Sequence, residues 1–364
     1  MYTKHLIEQL ASHLENQPSW QSAVTTQLHD VYSEALQSMI EVGLVIVGEN
    51  PKTLFIHLDG GVGDRNTLIS RMPLLAIMTQ TKVIPDALHV SFSGGAQAFY
   101  TGAWQTWIID ELGAWLQKQF EIPINQENTV ITGISAGGHG ALKIAFKYPH
   151  YFSGVAALEP VVMPTLGWGE AHTRASWWML EESAKAVWGE PFPRAFVDEQ
   201  PINLAHSNSD QIRKCELDIY LEVGDEDLMN LQDGTELLHR MLWSLDIPHE
   251  YHLVRWADHG GYSIDDRFVE AMAFLAASLK GGKKQSRNKP LSNAEKTFIN
   301  YVLSGGPQRG EPLPDGAASG TKETELSVMD KLWEPLREIA QSRDPTMSKR
   351  FGDLPSIELN DKPT

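Results

Sequence analysis

Thr129-Val130-Ile131-Thr132 reads as a short buried strand, and Gly133-Ile134-Ser135-Ala136-Gly137 follows it directly. The next residues, Gly138-His139-Gly140-Ala141-Leu142-Lys143-Ile144-Ala145-Phe146-Lys147, read as an amphipathic helix that stops at Tyr148-Pro149. A serine between strand and helix is held at strained backbone angles, and glycines flank it because side chains there would clash. Its hydroxyl is exposed at a helix N-terminus, where backbone N–H groups and the dipole favour developing negative charge. G-x-S-x-G alone is a weak signal. In a strand–turn–helix context it reads as a nucleophile elbow and not as a glycine-rich turn with a solvated serine.

Outward from the elbow, apolar runs alternate with helical patterns. Strands are expected at 40–48, Thr53–Leu58, Leu88–Ser93, Gly154–Leu158, Leu217–Val223 and Glu250–Trp256. Helices are expected at 4–15, Thr67–Thr79, Trp104–Phe120, Leu231–Trp243 and Ile264–Leu279. Continuous apolar strands alternating with helices imply an α/β fold, a mainly parallel sheet covered on both faces. Catalytic groups in such sheets lie beyond the carboxyl ends of the strands. The expected organisation is a helical lead-in over 1–39, a catalytic domain over 40–280 and a C-terminal extension over 281–364. Residues 161–205 break the alternation and carry Trp168, Trp177, Trp178 and Trp188, which suits a cap over the site. Gly281-Gly282-Lys283-Lys284-Gln285-Ser286-Arg287-Asn288-Lys289-Pro290 reads as a linker. The tail beyond it leaves three roles open: docking on the main domain, homo-oligomer assembly or a loose extension.

The 364 residues are 42% hydrophobic, enough for a sizeable core. A net charge of −17 argues against nucleic-acid partners and anionic membranes, both of which need basic patches. Met1 to Trp20 has no apolar stretch of signal-peptide length, and no run is long enough to span a bilayer. Cys215 is the single cysteine, which excludes an internal disulfide and thiolate metal clusters. A reducing cytoplasm is the expected location.

A serine hydroxyl needs a base, and the base an orienting carboxylate. On such a sheet the order is Ser, then Asp or Glu, then His. The strand Leu217–Val223 ends in Gly224-Asp225-Glu226-Asp227, where a tight turn at Gly224 would aim Asp227 across the strand ends. Asp225 is the runner-up, and a solvated acidic loop the bland alternative. Of His239, His249, His252 and His259, only His259 lies past the last strand, in Ala257-Asp258-His259-Gly260-Gly261. The oxyanion donors are expected at the N–H of Ala136 and at Gly60 or Gly61, in His57-Leu58-Asp59-Gly60-Gly61. Asp59, Trp168, Trp177 and Trp178 are candidate substrate contacts, beside structural readings as a turn residue and as core tryptophans. His57 is expected to face the core.

Ser135-Ala136-Gly137-Gly138-His139-Gly140-Ala141-Leu142, with Phe99-Tyr100-Thr101-Gly102-Ala103-Trp104 and Glu111-Leu112, resembles the S-formylglutathione hydrolase (esterase-D) group. The broader esterase family includes the mycobacterial mycolyltransferases and the siderophore trilactone esterases. Gly224, Asp227 and His259-Gly260 fit its acid and base positions, and the resemblance covers roughly residues 40–280. It implies an α/β-hydrolase fold and an acyl-enzyme mechanism without metal or other cofactor, acting on a small-molecule ester or thioester. Ala136 stands where the family usually has methionine, and Leu-Asp-Gly-Gly differs from the formylglutathione enzymes' oxyanion loop. An acyltransferase would use the same triad. A catalytically silent binding scaffold would usually lack one of its members, and here all three positions are filled.

Overall fold

The computed structural model describes residues 23–95, 99–169, 174, 178–261 and 263–279, all within a compact unit that ends at Gly282. The chain enters as a hairpin, β1 (Val24–Ser33) and β2 (Ser38–Val47), followed by β3 (Thr53–Leu58), α1 (Thr67–Ser70), α2 (Met72–Gln80) and β4 (Ala87–Phe92). Next come α3 (Ala103–Thr106), a π-helical turn (Trp107–Glu111), α4 (Leu112–Phe120), β5 (Thr129–Ile134), α5 (Ala136–Lys147) and β6 (Gly154–Leu158). Four short helices follow: α6 (Glu181–Trp188), α7 (Arg194–Glu199), α8 (Pro201–Ser207) and α9 (Ser209–Lys214). The unit closes with β7 (Asp218–Gly224), α10 (Leu231–Ser244), β8 (Glu250–Val254) and α11 (Ile264–Leu279).

The eight strands form one sheet in the order β1-β2-β4-β3-β5-β6-β7-β8. The pairs β1/β2 and β2/β4 are antiparallel, and every other neighbouring pair is parallel. Strand periodicity sends alternate side chains to opposite faces. Leu54, Ile56 and Leu58 of β3 join a core with Trp107, Leu112, Leu142, Phe146, Leu238 and Leu242. Phe55 faces the other way and packs with Leu75, Met78, Phe268, Met272 and Leu275. Fully burying a side chain of this size stabilises by about 1.5–3 kcal/mol. The sheet is thus covered twice, as its apolar strands require.

The hairpin corrects the expected lead-in. Val24–Ser33 is a strand, paired with β2 over its whole length, and not part of a helical segment reaching residue 39. Its alternating, half-exposed pattern is that of an edge strand, and Val24, Thr25, Thr26, Val31 and Tyr32 suit a pleated surface. The helix expected at 4–15 lies outside the described residues, as does the segment beyond 280. The π turn also interrupts the helix expected over Trp104–Phe120. It ends at Glu111, whose carboxylate accepts bonds from the Ser33 hydroxyl at 2.6 Å and the Ala35 N–H at 2.8 Å, fastening the hairpin to the helix layer.

Candidate active site

Ser135 occupies the turn between β5 and α5 at φ 57° and ψ −120°, a region that non-glycine residues rarely enter. Its neighbours explain how the turn closes. A Cβ on Gly133 would lie 2.2 Å from the Gly137 carbonyl oxygen, and one on Gly137 would lie 1.9 Å from that of Leu58. Only glycine permits those approaches, so α5 packs tightly on the ends of β5 and β3. The first amides of α5 have no acceptor within the helix and face the Ser135 side of the turn.

The structure brings Ser135, His259 and Asp227 together. His259 Nδ1–H donates to Asp227 Oδ2 at 2.8 Å, which leaves Nε2 to accept from the Ser135 hydroxyl at 3.1 Å. Asp227 is buried, and its other oxygen accepts the Met229 N–H at 2.8 Å. Asp258, a residue that sequence reasoning passed over, joins the loops that carry Asp227 and His259: its Oδ1 accepts from Leu228 N–H at 2.9 Å and from His259 N–H at 2.6 Å. Burial lowers the proton affinity of His259, but the Asp227 hydrogen bond and the charges of Glu159, Asp227 and Asp258 outweigh it and raise its pKa.

The rival candidates are placed elsewhere. Asp225 Oδ1 accepts the Trp256 N–H at 2.6 Å and closes the end of the β7–β8 pair. His239 and His249 bond to each other at 2.8 Å, while His252 stacks on Tyr220 and approaches Glu250 at 3.2 Å. His57 faces the core and bonds to His89 at 3.0 Å, and burial depresses the pKa of both.

A groove of about 570 Å³ opens over Ser135 and His259, lined also by Gly60, Gly61 and Ala136. Gly60 is close enough that a Cβ on it would meet Ser135 Cβ at 3.4 Å, so its backbone runs alongside the serine. Tyr100 supports this loop, its hydroxyl donating to the Asp59 carbonyl at 2.8 Å. Much of the remaining wall is apolar: Val62, Phe99, Val161, Trp178, Met179 and Met229. Trp178 Nε1–H donates to the Met229 carbonyl at 2.9 Å, which fixes the ring at the wall.

Two of the candidate substrate contacts, Asp59 and Trp168, take their structural readings. Asp59 lies beneath the groove, in a small cavity beside His57, Arg71, Thr132 and Phe268. Burial pushes its carboxyl up to about 7 against the pull of Arg71. Trp168 packs edge-on against Phe192 and Phe196 inside the cap, where an aromatic ring is better buried than in water. Trp177 lies outside the described residues. Among the described residues, the groove-facing aromatics are thus Trp178 and Phe99. Phe99 occurs in the Phe99-Tyr100-Thr101-Gly102 stretch, but nothing in its spacing marks it as a wall residue.

Glu159 was also missed, although a charged residue directly after a buried strand is a readable signal. It is fully buried, bonds to Gly260 N–H at 2.7 Å and pairs with Arg267 of α11, which also reaches Glu222 at 3.0 Å.

Comparison with known proteins agrees with this architecture. A curated relative, Esterase MT1326 of Mycobacterium tuberculosis, is 30% identical over 77 residues, 21% of this chain and 17% of that protein. The match therefore spans under a fifth of that relative's length. A ferulic acid esterase structure superposes with a TM-score of 0.58 at 13% identity, covering 70% of this chain and 98% of that one. An S-formylglutathione hydrolase from Agrobacterium tumefaciens superposes with a TM-score of 0.56 at 18% identity, covering 71% and 96%. Residues 93–259, from the end of β4 to His259, match the family described as "Putative esterase", and the structural likenesses show an α/β-hydrolase fold.

Proposed function

We propose that the chain is a serine esterase acting on small carboxylic esters or thioesters with an apolar acyl group. Ser135 Oγ attacks the acyl carbonyl as its proton passes to His259 Nε2, and Asp227 holds the imidazole in the tautomer that leaves Nε2 free. The oxyanion is received by the N–H of Ala136 and by the Gly60–Gly61 backbone, near the positive end of α5. His259 then protonates the departing alcohol or thiol, and water activated by the same imidazole releases the acid. The observation that carries this reading is the unbroken hydrogen-bonded chain Asp227–His259–Ser135, with its serine end at the floor of an apolar groove. The family match over residues 93–259 supports the reaction class. The apolar wall of Val62, Phe99, Val161, Met179 and Met229 supports the acyl preference.

The test is fluorophosphonate labelling, with a panel of esters graded in acyl length. The wild-type chain is expected to label at Ser135. Ser135→Ala should lose both labelling and turnover, with kcat falling on the order of 10⁴–10⁶-fold and the fold intact. A variant keeping more than a few per cent of activity would overturn the assignment. Adding an alcohol acceptor and analysing products separates hydrolysis from acyl transfer.

A further inference from the structure

We propose that Glu159 is a second carboxylate for the His259 imidazole, a positioning residue that fixes the histidine loop and stabilises the imidazolium formed when His259 takes the Ser135 proton. The proposal rests on the triad reading above and extends it to a residue outside the triad.

Glu159 is the first residue beyond β6 and is fully buried, at φ 47°. Such a conformation in a non-glycine residue is strained and persists only where its surroundings over-determine it. Here they do. The Glu159 N–H donates to the Glu222 carbonyl at 2.7 Å, one carboxylate oxygen accepts from Gly260 N–H at 2.7 Å, and the other is paired with Arg267. Arg267 Nη2 also donates to the carbonyls of Asp258 and Gly260, the residues on either side of His259. The backbone that carries the base is therefore clamped from both sides by one ion pair.

The same carboxylate faces the ring. Glu159 Oε2 lies 3.4 Å from His259 Nδ1, against 2.8 Å for Asp227 Oδ2. Asp227 holds the hydrogen bond and so sets the tautomer, while Glu159 spends its near oxygen on the Gly260 amide and acts on the ring through charge. The charged groups around His259 are Asp227 from the loop after β7, Glu159 from beyond β6 and Asp258 from its own loop, with Arg267 and Glu222 behind Glu159. Burial pushes the Glu222 carboxyl up to about 7, with Arg267 pulling the other way. His139, buried and beside the Lys143 charge, is pulled down to about 4 despite its bond to the Val161 carbonyl. His259, more than half shielded but faced by carboxylates, moves in the opposite direction.

The experiment follows His259 in two ways: by NMR titration of its ring resonances in a Ser135→Ala background, and by the pH dependence of kcat/KM in the active chain. A negative neighbour favours imidazolium, so its removal moves the inflection to lower pH. Glu159→Gln is expected to lower both inflections by on the order of one pH unit. Its plateau kcat/KM should fall roughly tenfold, far less than the loss from Asp227→Asn. A Glu159→Gln chain whose melting temperature falls while the His259 inflection stays in place would make Glu159 a structural clamp only, and the proposal would fail. Should that variant not fold, Ser135→Ala/Asp227→Asn carries the NMR test. With Glu159 still facing the ring, the inflection should stay above about 5. An inflection below about 5 overturns the proposal. If the wild-type chain neither labels with fluorophosphonate nor turns over esters, the catalytic reading fails, while the NMR titration still decides the coupling of Glu159 to His259.

Discussion

Asp227 and Asp225 are two residues apart, yet the fold gives them unrelated work. Asp227 turns inward to His259 Nδ1 and is anchored by the Met229 amide, whereas Asp225 turns outward to the Trp256 amide. Asp227→Asn keeps the shape but supports the wrong imidazole tautomer, so kcat on an activated ester is expected to fall on the order of 10⁴-fold. Asp225→Asn weakens one backbone contact, worth about 1 kcal/mol, and should leave kcat within roughly threefold of wild type. Steady-state kinetics on the two purified variants decides the matter, and equal, mild losses would place the acid elsewhere. At this scale the candidate positions Ser135, Asp227 and His259 were readable because each lies in a turn or loop past a strand, near Gly133 and Gly137, Gly224, and Gly260 respectively. For Asp59 the sequence left a turn residue and a substrate contact both open, because its neighbours Gly60 and Gly61 do line the groove while Asp59 itself lines the small cavity.

Among the elements, α5 links the catalytic turn to the cap. Its Lys143 is fully buried and pairs with Glu199 at the end of α7 at 2.7 Å, and it also donates to the Tyr100 carbonyl at 2.5 Å. Gln105 of α3 reaches the same Glu199 carboxylate at 3.2 Å. Helix α5, the loop that carries Tyr100, α3 and the end of α7 thus meet at one ion pair. Burial lowers the Lys143 pKa to about 8, and Glu199 opposes that shift. Breaking such a pair strands a buried charge, at a cost of about 3 kcal/mol. Glu199→Gln is expected to lower the melting temperature by roughly 6–10 °C, read by calorimetry. Lys143→Met/Glu199→Leu should regain most of the loss, since two apolar side chains replace the pair without an unpaired charge. If the double variant melts no higher than the single one, the pair is doing something other than satisfying a buried charge.

On the scale of the molecule, the sheet, both helix layers and every described site residue lie in the unit Met1–Gly282. A chain ending at Gly282 is therefore expected to fold and to label with fluorophosphonate at a rate within about twofold of the full chain. Side-by-side labelling time courses test this, and a truncated chain that folds but does not label would show that the site needs residues beyond 282. Among the described residues, no helix is long and apolar enough to cross a membrane.

What the sequence determined by itself was local and periodic. The apolar runs of β3, β5, β6 and β7 announce a sheet buried on both faces, and glycines at 133 and 137 announce a turn no larger side chain could make. The order Ser135, Asp227, His259 then follows from where the strands end. The antiparallel β1 was not legible, because a half-exposed edge strand buries too little to show an apolar run. The roles of Trp168 and Trp178 were not legible either, since composition is the same for a tryptophan in a cap core and one in a groove wall. Glu159, Glu222 and Arg267 come from three separate elements, and nothing local in any of them names the others. Only the packing of α11 against β6 and β7 brings them together behind His259, because a buried carboxylate is tolerated where a partner charge meets it, and that meeting is decided in three dimensions.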